Sequence, residues 1–220
     1  MKNFSKAAFF LIAAAAFVHA NASTILLSTG FSEAGPQASA AAYQEVVNAA
    51  IAAPGKGYGT TMISSYDNVK NSKVFGSGAN VAFKSSINFG VGSAQAGVWN
   101  FRAGMDFAKG GAMFIDGVAL DFKSSDMAWD GSYADAGQYL SASVRLSPGN
   151  HVLSIYGVEG CCDGSQQVQF QYGKGNFTSF GASDGLVSIV PEPSTYAMLL
   201  IGLGLLGFTA RRTRSVQFKA

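Results

Sequence analysis

Three parts of the chain differ in how apolar and polar positions alternate. Residues 7–18 and 196–210 are apolar runs with no polar face, and the long stretch between them is patterned. Within it, Thr24 to Ser28 is a short strand candidate, followed by a loop punctuated by Gly35 and Pro36. Tyr43, Val46, Val47, Ala50 and Ile51 then recur at helical spacing until Pro54-Gly55 stops the run, which predicts one N-terminal helix. Glycine, serine and asparagine dominate from Gly55 to Gly78, a composition for short strands and turns.

From Val81 the period becomes two. Phe83, Ser85, Ile87, Phe89 and Val91 mark one strand. Trp99, Phe101, Ala103, Met105 and Phe107 mark a second, alternating with Asn100, Arg102, Gly104 and Asp106, so one face is buried and one is wet. Asp116-Gly117 lies between two apolar runs and predicts a two-residue hairpin, since both residues tolerate positive φ. Leu140, Ala142, Val144 and Leu146 alternate with Ser141, Ser143 and Arg145. Pro148-Gly149-Asn150 turns the chain into His151 to Val158, apolar on both faces as a central strand is. Val168, Phe170 and Tyr172 alternate with three glutamines, and Leu186 to Val190 predicts a last strand. The expected fold is mainly β, an antiparallel sandwich.

The two apolar runs stand outside that sandwich. Lys2 and Lys6 precede the first, and Ala20-Asn21-Ala22 places small residues where a signal peptidase reads, so residues 1–22 are expected to be a signal peptide cleaved after Ala22. The second run, Tyr196 to Ala210, would rise about 22 Å as a helix, short of the roughly 30 Å hydrocarbon core. Pro191 and Pro193 keep the residues before it extended and accessible at the membrane edge. Arg211, Arg212 and Arg214 follow it and hold residues 215–220 as a short cytoplasmic tail, with the rest of the chain outside.

Pro191-Glu192-Pro193, a glycine-rich transmembrane helix and an arginine cluster, in that order over residues 191–214, resemble the PEP-CTERM sorting tail of Gram-negative bacteria. The resemblance implies recognition by a membrane-embedded exosortase and cleavage near Pro191-Glu192-Pro193. It also implies transient anchoring in the inner membrane, then delivery to the cell surface, outer envelope or exopolysaccharide matrix.

With both ends removed, residues 23–190 form one domain, long enough for a sizeable core. The whole chain carries a net charge of +2, but six of its fifteen basic residues lie in the ends. The domain keeps nine basic residues against twelve acidic, a net of −3, which gives no electrostatic case for nucleic acid.

A second resemblance covers Trp99 to Tyr172. Phe114-Ile115-Asp116-Gly117, the Trp129 loop, Leu146-Ser147-Pro148-Gly149-Asn150-His151 and Tyr156-Gly157-Val158-Glu159-Gly160-Cys161-Cys162-Asp163-Gly164 look like a PEP-CTERM family named for its Cys-Cys-x-Gly motif. Their order is also similar to the lectin-like, jelly-roll sandwich first named from anthrax protective antigen. In some sugar-binding members a pair of adjacent aspartates holds calcium and the calcium holds the sugar; this chain has no such pair.

Cys161 and Cys162 are the two cysteines, and in an exported protein they join each other, join another chain or stay free. Adjacent Cα atoms sit about 3.8 Å apart, below the usual disulfide range, so a ring between them is strained. A vicinal disulfide reads either as a stiff apolar knuckle that contacts a ligand or as a turn lock with no ligand. Asp126, Asp130 and Asp135 lie among Trp129, Gly131 and Tyr133, a set of carboxylates on flexible backbone that makes calcium the candidate metal, although without EF-hand spacing. The aromatic rings suit the apolar face of a sugar, the alternative being a solvated loop with Trp129 in the core. Asp116, Asp126, Asp130, Glu159 and Asp163 are expected to gather at one end of the sandwich, with Trp129 and Tyr133, as ligand-binding residues.

His151, directly after a turn, fits a structural role. No G-x-S-x-G elbow precedes His151, and the chain has no HExxH or P-loop, so no catalytic residue is named. Three functions remain in view. The first is a non-enzymatic carbohydrate-binding surface or matrix protein, the second a cohesive matrix protein with no defined ligand, and the third a glycan-modifying enzyme built on paired carboxylates.

Overall fold

The period-two segments become the strands of two facing antiparallel sheets. In the computed structural model, which describes residues 23–186 with Ile201 and Gly202, the chain order begins β1 (Thr24–Phe31), α1 (Ala40–Ala52), β2 (Thr60–Ile63), α2 (Asn71–Val74), β3 (Ala79–Val91) and β4 (Gly97–Phe107). It continues with β5 (Gly111–Ile115), β6 (Val118–Lys123), β7 (Met127–Ala128), β8 (Tyr139–Leu146), β9 (Gly149–Cys161), β10 (Gln166–Tyr172) and β11 (Thr178–Ser179). The first sheet runs β2-β1-β3-β9-β5-β6. In the second, β11 pairs β10 and β10 pairs β4, whose other edge takes β8 along Gly97–Gly104 and then β7 at Asp106 and Phe107.

The alternation along β3 and β4 explains the core. Val81, Phe83, Ile87 and Phe89 point inward from the first sheet, against Trp99, Phe101, Met105 and Phe107 from the second. Phe89 sits at the centre, in ring contact with Trp99, Phe101 and Phe180. Each such aromatic removed from water contributes roughly 1.5–3 kcal/mol. β9 lies between β3 and β5, which is why its apolar residues occupy both faces: Leu153 and Ile155 join the core between the sheets, while Tyr156 and Val158 lie under α1. Ser39 caps α1 by accepting from the Ala42 N–H at 3.2 Å, and Tyr43 and Val47 seat the helix on the outside of the first sheet, making a third layer.

The Asp116-Gly117 hairpin is present, both residues having positive φ (50° and 81°). Three differences from the sequence reading are local. β1 continues to Phe31 because its whole length pairs with β3. A second, four-residue helix, α2, begins at Asn71, although its N-cap Lys70 makes no side-chain cap. Leu186 is not in a strand, and the rest of that expected strand lies outside the described residues. So do the signal peptide with Ala20 and Ala22, the motif Pro191-Glu192-Pro193, and Arg211 and Arg212. Among the described residues no helix is long and apolar enough to cross a membrane.

Candidate functional site

The sandwich separates the carboxylates that were expected to gather. Asp116 lies at the β5–β6 turn, beside the start of β9: its Oδ1 accepts the Val152 N–H at 2.8 Å and its Oδ2 lies 2.7 Å from His151 Nδ1. His151 Nε2 faces the Ser147 carbonyl at 2.9 Å, so the imidazole ties the hairpin to the turn before β9. Glu159 is eight residues further along β9, about 26 Å away at the rise of a strand. The expectation of one cluster is therefore corrected. A single extended strand carries the two groups to opposite ends.

At the far end the acids hold backbone. Glu159 is buried, its Oε2 accepting the Ala108 N–H at 2.6 Å and its Oε1 the Cys161 N–H at 2.9 Å. Asp163 is also buried and accepts the Asn71 N–H (3.1 Å), the Ser72 N–H (2.7 Å) and the Ser72 hydroxyl (2.7 Å), capping α2 from 91 residues away in sequence. Cys161 and Cys162 are bridged to each other, with Cys162 at φ +73° and the Cys162 and Asp163 N–H groups both donating to the Gly78 carbonyl. Asp106 closes the end of β4, and a side chain at Gly164 would run into its carboxylate.

Burial, then the nearby Asp126 and Asp163, raises the Asp106 carboxyl above its ordinary range; burial likewise raises Glu159, against the lowering pull of the Ala108 N–H. Each holds its proton more tightly folded than unfolded, so the folded state binds more protons in the window above the ordinary carboxylate range. Their contribution to stability is therefore largest below the ordinary range and declines as pH rises through the raised values. Denaturant midpoints taken stepwise from pH 4 to pH 7 are expected to show Asp106→Asn losing less stability with rising pH than the parent chain.

Asp116, Glu159 and Asp163 each turn both oxygens to protein partners, and of the loop acids expected to hold calcium, Asp130 and Asp135 each spend Oδ1 on a backbone N–H, of Ser132 and Gly137. Among the described residues no group of three or more histidines, cysteines or acids could hold a metal ion.

The aromatic part of the Trp129 loop lies elsewhere, folded onto the outer face of the second sheet. Trp129 packs on Gly104, where any side chain would collide with the indole, and it is only 6% exposed. It is thus neither in the core between the sheets nor open to a ligand; it supports Tyr133, whose ring centre is 5.5 Å away. Tyr133 in turn contacts Tyr139 and lies 3.8 Å from the Arg102 guanidinium carbon, with Phe177 at 3.9 Å from the same atom. The Tyr133 hydroxyl donates to the Gln167 carbonyl, and burial pushes its pKa up to about 12, so the phenol stays neutral.

Beside this stack the outward positions of three neighbouring strands form rows. Register places Ser141, Arg102 and Gln169 in one row and Ser143, Asn100 and Gln171 in the next, about 7 Å away. Arg102 Nε donates to Gln169 Oε1 at 2.6 Å and Asn100 Nδ2 to Gln171 Oε1 at 3.0 Å, which fixes the side chains as a ladder. An open trough of about 410 Å³ runs between Tyr139, Ser141, Ser143, Asn100, Arg102 and Phe177. Its polar residues occupy wet positions already visible in the alternation, but Phe177 and the sharing of rows come from the pairing alone.

Residues 190–214 match the PEP-CTERM protein-sorting motif. No curated protein matches the chain. Among solved structures it is similar to the PA14 sugar-binding domain from an RTX adhesin (14% identity, covering 76% of this chain and 99% of that one, TM-score 0.49). It is also similar to the PA14 domain of the MpAFP antifreeze protein (10%, 74% and 88%, 0.46). A third is the epithelial adhesin 9 A domain of Candida glabrata in complex with Galβ1-3GlcNAc (9%, 74% and 88%, 0.45).

Proposed function

We propose that this is an exported protein of the cell surface or exopolysaccharide matrix, delivered through its sorting motif and processed there by an exosortase, and that it binds carbohydrate without catalysis. The observation that carries the carbohydrate reading is the trough on the second sheet. Amide, hydroxyl and guanidinium groups held in register match the edges of sugar rings, while Tyr139 and Phe177 border them with apolar surface for the ring faces. The alternative is a cohesive matrix protein with a vicinal cysteine pair, Cys161 and Cys162, and no defined ligand. On the carbohydrate-binding reading, signal peptidase and the exosortase are the processing partners and an extracellular polysaccharide the ligand.

Affinity electrophoresis through polysaccharide-loaded gels, backed by a glycan array, tests this. Retardation by at least one glycan is expected, and Tyr139→Ala and Phe177→Ala should each weaken it about tenfold, or about 1.4 kcal/mol, with an unchanged circular dichroism spectrum. Silence across every glycan would overturn it.

A further inference from the structure

The trough is built around a cation that its own fold leaves without a counter-charge. Tyr133 and Phe177 each lie within 4 Å of the Arg102 guanidinium carbon and make no ring contact with each other, which puts one ring on either face of the guanidinium. With both faces covered, only the in-plane N–H edge can meet another group. One of its five N–H donors goes to Gln169, and among the described residues no carboxylate forms an ion pair with the others. Stacking and the Gln169 bond hold a planar fork of donors in one orientation. A planar carboxylate meets that fork with two parallel hydrogen bonds.

The surroundings have the matching sign. From Gly104 to Val98 on β4, and at the facing outward positions of β8 and β10, the charged side chains are Arg102 and Arg145, with no acid among them. Arg145 stands four residues beyond Ser141 on β8, about 14 Å further along the trough. The nearest acids are engaged at the margins. Asp121 accepts the Ser141 N–H at the free edge of β8, Asp67 accepts from the Gln167 amide, and Asp130 and Asp135 each close a local turn in the Trp129 loop. Tyr133 is neutral, as its raised pKa requires. A basic strip on a domain with a net charge of −3 is a local, directed feature, not a reflection of overall charge.

We infer that the trough selects an acidic polysaccharide, with the carboxylate of a uronic acid residue seated on the edge of Arg102 and neighbouring hydroxyls on Asn100, Ser141 and Ser143. This rests on the carbohydrate-binding reading above and adds the class of sugar. A second acidic residue of the same chain reaches Arg145, so an extended polymer binds better than a single sugar.

The test uses the exported protein with four probes: polygalacturonate, the same polymer after chemical reduction of its carboxyls to alcohols, dextran sulfate and neutral dextran. Binding to polygalacturonate is expected, at least tenfold weaker for the carboxyl-reduced polymer and falling steeply with added salt. Arg102→Gln should lose the same factor, and Arg102→Lys, which keeps the charge but not the fork, should lose part of it. The reduced polymer needs no variant, so the inference stays testable even if substitutions at Arg102 unsettle the loop. Equal binding to native and reduced polymers would overturn the role of the carboxylate while leaving carbohydrate binding intact. Binding to dextran sulfate alone would overturn uronate selection in favour of a sulfate ester. Failure with all four probes overturns the inference; silence of the wider array as well removes the reading beneath it.

Discussion

Asp163→Ala is expected to lower the stability of the domain by about 3 kcal/mol, a fall in melting temperature of roughly 6–12 °C for a domain of this size. Three donors converge on this buried carboxylate, and two are backbone N–H groups at the start of α2, where Lys70 gives no side-chain cap. Without Asp163 those donors are stranded in a buried corner, where each unmet group costs about 1–3 kcal/mol. The damage spreads through Asn71, fully buried, which accepts from the Thr29 hydroxyl and donates to the Gly57 and Ser77 carbonyls. Asp163→Asn keeps one acceptor oxygen and should recover about half of the loss. Thermal melts and amide exchange at Asn71 and Ser72 read the effect. An unchanged melting temperature with impaired glycan binding would instead make Asp163 a ligand-binding residue.

Asp116→Ala is the second large effect, about 2–3 kcal/mol. The residue occupies a left-handed turn position at φ 50°, which aspartate tolerates better than alanine. Its removal also leaves the Val152 N–H and His151 Nδ1 without their acceptor, the histidine being only 8% exposed. Asp116→Asn retains the turn preference and an acceptor for Val152, so it should lose no more than about 1 kcal/mol. Chemical denaturation of the three proteins gives the comparison. Glycan retardation should be unaffected in the folded variants, because Asp116 does not border the trough.

Both predictions assign to the frame residues that the sequence offered as ligand contacts, and the reason lies in what local pattern encodes. Alternation along β3, β4 and β8 follows from neighbours two residues apart, so the buried faces were readable, as was the Asp116-Gly117 turn, whose conformation depends on its own two residues. Which donors a carboxylate meets is not local. Asp163 looked like a loop acid because its partners lie more than 90 residues earlier, and Glu159 looked available because Ala108 approaches only when β4 and β5 fold beside β9. The local pattern allows Trp129 either a core position or a sugar platform; Gly104, on another strand, makes a third position for it on the outside of the sheet.

By itself, then, the amino-acid sequence determined the mainly β character, the inward set of apolar side chains, the Asp116-Gly117 hairpin turn and the sorting motif at residues 190–214, since each is written in periods and signals shorter than about 25 residues. Tertiary structure alone decided that Ser141, Arg102 and Gln169 share a row, that Phe177 closes over the guanidinium from a turn between β10 and β11, and that the acids are spent on backbone donors. Strand register brings together groups 39 and 67 residues apart, and without it Arg102 is one more wet position in an alternating strand.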